Sequence, residues 1–485
     1  MKGQGKAPLW KELTAHVAAG YTGFHVPGHK GSYGLEELSS AWGPEILNYD
    51  LTELPGLDNL HAPEGVIREA QELAAELYGA RCTFFLVGGT SAGLIAALLA
   101  ATRPGDKVIL PRHAHRSLLS AAILGDLKPV FYPAVVDPVH SVVSGWDQDE
   151  ALRIIDQHTD ARALVLVHPS YHGLVGPAAQ LIQAARRAGL TVIADEAHGP
   201  HFYLHSGFPP GALRLGADAA VQSTHKMLGS LTQSSWLHLG SGRISPARVL
   251  EVLRWLESSS PSYLLMASLD VARRRAALHG CQDWGRARQL AEKLRAAIAG
   301  IPAVKVMGDP MPLPVVDYDV CKIVVDVGSL GLTGPKAALY LNQKHKIQLE
   351  MAELYTLLFI VTPADDDKSI LRAAAALLDL ARRYQGNTVS RAAPVPPLPS
   401  LPVAVLSPRA AAFARHDVLP VDQAVDKIAA KAVVPYPPGI PLLWPGEQFS
   451  AETLEVITAY IRQGIPVQGL TVDANQGLNV SIVGE

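Results

Sequence analysis

Between residues 83 and 239, apolar runs alternate with helical segments, and this alternation limits the fold more than any other feature. Strands are expected at 83–87, 107–111, 129–133, 163–168, 191–195, 217–222 and 234–239. Helices are expected among them at 92–101, 115–123, 149–157 and 178–188, the last closed by Gly189. Such a series implies a mostly parallel sheet covered on both faces. Ligands on sheets of this kind sit beyond the carboxyl ends of the strands. Four polar loops fall at that end: 112–117, 168–173, 195–199 and 223–226. Four such loops at one end of one sheet mark the place to look for an active site.

The last of these loops, Ser223-Thr224-His225-Lys226, carries unusual chemistry. Lys is rarely interior unless it is paired or covalently engaged. A desolvated Lys has a lowered pKa and can form a Schiff base with a carbonyl. Upstream, the apolar run 192–194 delivers Asp195 at its carboxyl end. Gly88-Gly89-Thr90-Ser91 opens an apolar helix, and a Gly-rich turn feeding a helix presents free N–H groups to an anion. No Lys follows that turn as in a Walker loop, which argues against a nucleotide triphosphatase. A Schiff-base lysine, hydroxyl and imidazole donors for a phosphate, and an acid for a ring nitrogen together point to pyridoxal phosphate. The plain alternatives are a surface Lys in a strand-to-helix loop and a purely structural glycine turn.

Composition narrows the class. Hydrophobic residues make up 48% and charged residues 18%, which suits a large core and argues against disorder. A net charge of −3 leaves no bulk basic surface for nucleic acid. Cys82, Cys281 and Cys321 are far apart, without a CxxC pair, so neither a disulfide framework nor a metal site is expected. Reduced thiols fit a cytoplasmic protein. No apolar signal core follows the N-terminus. The most membrane-like stretch, 84–101, is broken by its Gly-Gly-Thr-Ser turn, so no membrane partner is expected.

The chain divides by composition into an arm at 1–60, a large domain at 61–270, a small α/β domain at 271–385, a Pro-rich linker at 386–402 and a C-terminal domain at 403–485. The arm is rich in Gly, Pro and His. A helix with Val66, Ala70, Leu73 and Leu77 on one face is expected to end at Gly79. In the small domain, strands are expected at 304–307 and 321–327 and helices at 334–345 and 367–384. Helices are also expected at 246–257, 270–299, 421–430 and 450–463. Between the last two, the five prolines of 434–447 predict a rigid, extended loop that presents Glu447.

The motifs FHVPGHKG, DLTELPGLDNLHAPEG, FFLVGGTSAG, RHAHRS, HPSYHGLVG, ADEAHG, STHKML, SPSYLLMASLD and PYPPGIPLLWPGE run in order from residue 24 to 447. In this order they resemble the bacterial Orn/Lys/Arg decarboxylases, in the short form without an N-terminal wing domain. The resemblance implies an α/β fold, PLP-dependent transferase-like (fold type I), with a large mostly parallel sheet domain, a small α/β domain and a C-terminal α+β domain. It implies pyridoxal 5'-phosphate on Lys226, Asp195 at the ring nitrogen, His115 stacked on the ring and His198 near the ring hydroxyl. Gly89, Thr90, Ser91, Ser223 and His225 would hold the phosphate. It also implies a homodimer or higher homo-oligomer, with the 260–263 loop reaching the neighbour's phosphate.

The sequence departs from the family pattern at Arg116, where Lys is common, at His168, where Asn or Thr is usual, and at Asp426, where Gly is usual. The expected reaction is α-decarboxylation of a basic amino acid, with arginine to agmatine favoured over lysine or ornithine. The rival readings are an aminotransferase or lyase of the same fold and a non-catalytic regulatory homologue. Selection among substrates needs a carboxylate for the distal cation. Glu447 is the expected acid, with Glu350 and Asp58 as weaker candidates.

Overall fold

The computed structural model describes residues 3–308, 310–385, 397–436, 439–472 and 477–484. Most of the expected linker, and Pro437 and Pro438 of the Pro-rich loop, lie outside the described residues. The chain forms two compact units, each assembled from separate stretches: Met1–Thr102 with Thr191–Gln282, and Arg103–Leu190 with Asp283–Glu485.

In the first unit the strands Cys82–Leu86, Ser235–Leu239, Ala219–Gln222 and Thr191–Asp195 lie side by side in that order. Thr191–Asp195 runs parallel to Ala219–Gln222, with Asp195 opposite Val221. Ser235–Leu239 is antiparallel to both of its neighbours. The alternation alone did not reveal that reversal. Its physical cause is the connection 223–234, which holds only the one-turn helix Thr224–Met227. Parallel crossovers ordinarily need a full helix.

Helix Gly89–Ala101 packs on all four of these strands and is apolar all round, as expected of a buried helix. Gly93 lets it approach: a Cβ there would lie 2.5 Å from Val221 Cγ1 and 2.6 Å from Leu86 Cδ1. Helix Val66–Tyr78 ends as expected at Gly79, which is left-handed at φ 65°. Its buried face is Ile67, Ala70, Leu73 and Ala74, rotated slightly from the face read in sequence. Asp58, at φ 67°, caps this region by accepting N–H bonds from Glu64, Gly65, Ile67 and Arg68.

The arm contains helices Pro8–Ala18 and Glu36–Trp42. It is tied to the long helix Tyr263–Ala299 by buried charges. Asp270 accepts the N–H groups of Leu9 and Trp10 at 3.0 and 3.3 Å. Arg273 donates to the Gln4 carbonyl at 2.7 Å and pairs with Asp270 at 3.1 Å.

In the second unit Lys107–Pro111 lies between Ala163–Val167 and Lys128–Tyr132, parallel to both. An antiparallel sheet follows in the order Lys305–Val306, Lys322–Asp326, Thr356–Ile360, Met351–Ala352. The C-terminal part pairs His416–Pro420 and Leu470–Val472 with Leu478–Val483, all antiparallel. Helix Ala451–Arg462 matches the expectation at 450–463.

The helix expected at 421–430 is absent: only the 3-10 turn Val421–Gln423 forms. Ala429 instead donates its N–H to the Glu447 carbonyl and accepts the Gly446 N–H at its own carbonyl. Tertiary pairing has claimed the backbone groups a helix would use. Asp426 sits at φ 62°, the left-handed region that Gly adopts without strain, which explains why the resemblance puts Gly there.

The close approach at Gly93 makes a prediction. Gly93→Ala should lower unfolding free energy by about 1–3 kcal/mol, because the added methyl overpacks Val221 and Leu86. A urea melt of the two proteins measures this.

Candidate functional site

Within the first unit, the parallel pairing of Thr191–Asp195 with Ala219–Gln222 carries two functional groups to the same strand ends. Asp195 ends one strand. It is 6% exposed, and its Oδ1 accepts the Ala197 N–H at 3.3 Å. Past the other strand, the one-turn helix Thr224–Met227 carries His225 and Lys226. Lys226 Nζ lies 3.0 Å from Nε2 of the buried His198. His225 turns its ring back to the Ser234 carbonyl, with Nδ1 at 2.9 Å. Burial lowers its pKa, against the Ser234 carbonyl, which favours the charged form, so the ring is held mainly neutral.

Beside this lies the start of helix Gly89–Ala101. Gly89 has φ 75°, a backbone that side-chain-bearing residues rarely adopt, and no side chain caps the first turn. Thr90 Oγ1 lies 2.6 Å from Ser223 Oγ and 3.1 Å from Ser235 Oγ, so three hydroxyls cluster at the helix start. Ser91 is exposed at the next position. An amine, a neighbouring imidazole, a buried carboxylate and an uncapped helix start with clustered hydroxyls match the carbonyl, ring and phosphate of pyridoxal phosphate. The residues present therefore fit that cofactor.

A network missed in the sequence supports this floor. Glu196 is fully buried and accepts bonds from the Ala212 N–H at 2.7 Å, Gln222 Nε2 at 2.7 Å and the Tyr203 hydroxyl at 3.0 Å. Burial raises its pKa to about 7, even though these three donors act to lower it. Gln222 Oε1 continues to His238 Nε2 at 3.1 Å, and His238 Nδ1 to Thr83 Oγ1 at 2.7 Å. Ser235 and Glu257 were also missed. No local signal marks them, because their partners lie more than a hundred residues away in the chain.

In the second unit, His115 caps helix Arg116–Gly125: its Nδ1 accepts the Ser117 N–H at 3.2 Å. That bond leaves Nε2 as the nitrogen that carries the proton in the neutral ring. Glu447 is 3% exposed, and both of its oxygens are engaged. Oε1 pairs with Arg112 Nη1 at 2.6 Å, and Oε2 with Arg112 Nη2 at 2.8 Å. Oε2 also accepts the Trp444 N–H at 2.6 Å. Arg112 further donates to the Pro441 and Leu442 carbonyls at 2.9 and 2.8 Å and lies over the Phe131 ring. A substrate cation reaching Glu447 would have to displace Arg112.

The weaker acids also have partners. Glu350 accepts from the Tyr171 hydroxyl, and Asp58 is the cap described above. Because Arg112 and Glu447 are both buried, removing one charge strands the other. Glu447→Ala should cost about 3–5 kcal/mol of stability, with little change in the Michaelis constant of the folded protein. Denaturant melts and steady-state kinetics separate the two effects. A raised Michaelis constant with unchanged stability would return Glu447 to substrate recognition.

Comparison with known proteins agrees with this geometry. Residues 7–369 match the family model described as Orn/Lys/Arg decarboxylase, major domain, and residues 398–465 match its C-terminal domain. The chain is 36% identical over 483 residues to the arginine decarboxylase of Halalkalibacterium halodurans, covering 99% of this chain and 98% of that one. It is 36% identical over 469 residues to the arginine decarboxylase of Bacillus subtilis, covering 96% of each. Among solved structures, the Escherichia coli constitutive lysine decarboxylase superposes with a TM-score of 0.86 at 19% identity. That match covers 99% of this chain and 82% of the other, which shows the fold. The chain belongs to the Orn/Lys/Arg decarboxylase family and has its fold type I architecture.

Proposed function

We propose that this protein is a pyridoxal-phosphate-dependent α-decarboxylase that converts arginine to agmatine and carbon dioxide. The observation that carries the reading is the placing of Lys226 and Asp195 at the same ends of two parallel, paired strands. The choice of arginine rests on the relatives named arginine decarboxylase at 36% identity. When bound, the cofactor supplies an electron sink for the carbanion left when carbon dioxide departs.

Lys226 would hold the cofactor through its side-chain amine. His198, 3.0 Å from Nζ, is within reach to take or return the lysine's proton. Asp195, buried and lightly bonded, keeps the ring nitrogen protonated. Gly89, Thr90, Ser91 and Ser223 would hold the phosphate at the uncapped helix start, and His225, whose Nδ1–H is given to the Ser234 carbonyl, would join them once protonated or turned. His115 would stack on the ring and orient the scissile carboxylate, so that the bond to carbon dioxide is the one aligned to break. Two groups are able to return a proton to Cα, His115 and Lys226. The working form in this reading is at least a homodimer in the cytoplasm.

Borohydride treatment of the holoenzyme should fix the cofactor to the peptide that contains Lys226, read by mass spectrometry. Lys226→Ala should retain weak cofactor binding and lose turnover. Asp195→Asn should lower kcat by orders of magnitude with a smaller effect on cofactor affinity, since an amide cannot hold the ring nitrogen protonated. Amine-product assays with arginine, lysine and ornithine test the substrate, and agmatine should form fastest. Near-normal decarboxylation by Lys226→Ala would sink the reading.

A further inference from the structure

Glu257 follows helix Pro246–Leu256 and is 9% exposed. Its Oε1 accepts two backbone N–H groups, from Val87 at 3.1 Å and from Gly88 at 2.8 Å. These are the two residues that immediately precede helix Gly89–Ala101. A buried carboxylate 169 and 170 residues away in the chain therefore ties down the turn that starts this helix. The packing there is tight: a Cβ on Gly88 would lie 2.9 Å from Ala92 Cβ and 3.1 Å from Glu257 Oε1. The helix that Glu257 follows packs directly on helix Gly89–Ala101, so the carboxyl group is held from behind.

The division of donors is informative. Glu257 takes the N–H groups of residues 87 and 88. The next three residues, Gly89, Thr90 and Ser91, open the first turn, which no side chain caps. Bonding an N–H pair to one fixed oxygen sets the tilt of that peptide unit, and with it the direction of the N–H groups that follow. Burial raises the Glu257 pKa to about 7, against the opposing pull of the Gly88 and Val87 donors. The acid and the carboxylate are therefore both present near neutrality, and Oε1 accepts in either form.

We propose that Glu257 is a positioning residue for the cofactor phosphate, pinning the Val87–Gly88 turn so that the start of helix Gly89–Ala101 points its free donors at that group. The proposal rests on the reading that this helix start receives the phosphate. Gly88 leaves no room for a side chain to cap the turn locally, so the acceptor has to come from elsewhere in the fold, and Glu257 supplies it.

The test compares dissociation constants of the apoprotein for pyridoxal phosphate and for pyridoxal, which lacks the phosphate. The proteins are the wild type, Glu257→Ala, Glu257→Asp and Glu257→Gln. The Gln amide oxygen has the reach to accept both N–H groups, so Glu257→Gln should bind pyridoxal phosphate within about threefold of wild type, roughly the spread of a fraction of one hydrogen bond. The Asp side chain keeps the charge and loses the reach. Glu257→Asp and Glu257→Ala should weaken pyridoxal phosphate binding about ten- to a hundredfold, the range seen when a residue orienting a set of ligand groups is removed. Pyridoxal binding should barely change in either. If Glu257→Ala does not fold, Glu257→Asp carries the same comparison. Equal loss of both ligands, or no loss of either, overturns the proposal. A wild-type protein that binds the two ligands alike would instead overturn the phosphate site itself.

Discussion

The parallel register between Thr191–Asp195 and Ala219–Gln222 is the constraint on which the candidate site depends. Pairing places Asp195 opposite Val221, so the residues that follow each strand emerge at the same edge. Two further backbone bonds lock the exits: the Glu196 N–H to the Val221 carbonyl at 3.0 Å, and the Ser223 N–H to the Ala197 carbonyl at 3.3 Å. A slip of one residue would turn every side chain of a strand to its other face. The acid and the lysine would then part company. The chemistry is therefore built on backbone geometry first and on side chains second.

Several enclosed charges have partners supplied from distant parts of the chain, because an uncompensated one is expensive. Arg112 and Glu447 pair in two-pronged fashion while Arg112 also caps two carbonyls. Asp270 and Arg273 hold the N-terminal arm to the long helix. Glu196, Gln222, His238 and Thr83 form a polar thread across the four strands of the first unit. Burial lowers the His238 pKa to about 3, so this imidazole stays neutral, donating from Nε2 to Gln222 Oε1 and accepting the Thr83 hydroxyl at Nδ1. Such a thread ties the strands under Asp195 and Lys226 into one hydrogen-bonded layer.

Glycine has two separate uses around the helix start. Gly89 is required by its backbone angle, φ 75°. Gly88 and Gly93 are required by space, since a Cβ at either would meet neighbouring side chains at under 3.0 Å. Beside the anion site that its composition suggests, the Gly-Gly-Thr-Ser turn serves close packing of helix on sheet, which composition does not reveal. The two demands meet at residues 88 and 89, where the acceptor Glu257 stands behind the turn.

Much of this was legible in the sequence because it is local or periodic. The alternation of apolar runs with helical segments placed strands at 191–195 and 217–222, the second two residues longer than the strand that forms, and the polar residues at and beyond their ends named Asp195, His198 and Lys226. Strand reversal at Ser235–Leu239 was not legible, because direction depends on how a connection crosses the sheet and not on the strand's own residues. The failed helix at 421–430 has the same origin: Ala429 bonds to Gly446 and Glu447, partners that no local pattern announces. Glu447 shows the limit most plainly. Its sequence setting, an acid on a Pro-rich segment, suits a substrate cation, whereas the fold brings it the guanidinium of Arg112, 335 residues away in the chain. Sequence determined which chemical groups this protein has and the strand ends on which several of them sit. Only the tertiary structure decided which of those charges are already spent on one another, because pairing is set by distance in space.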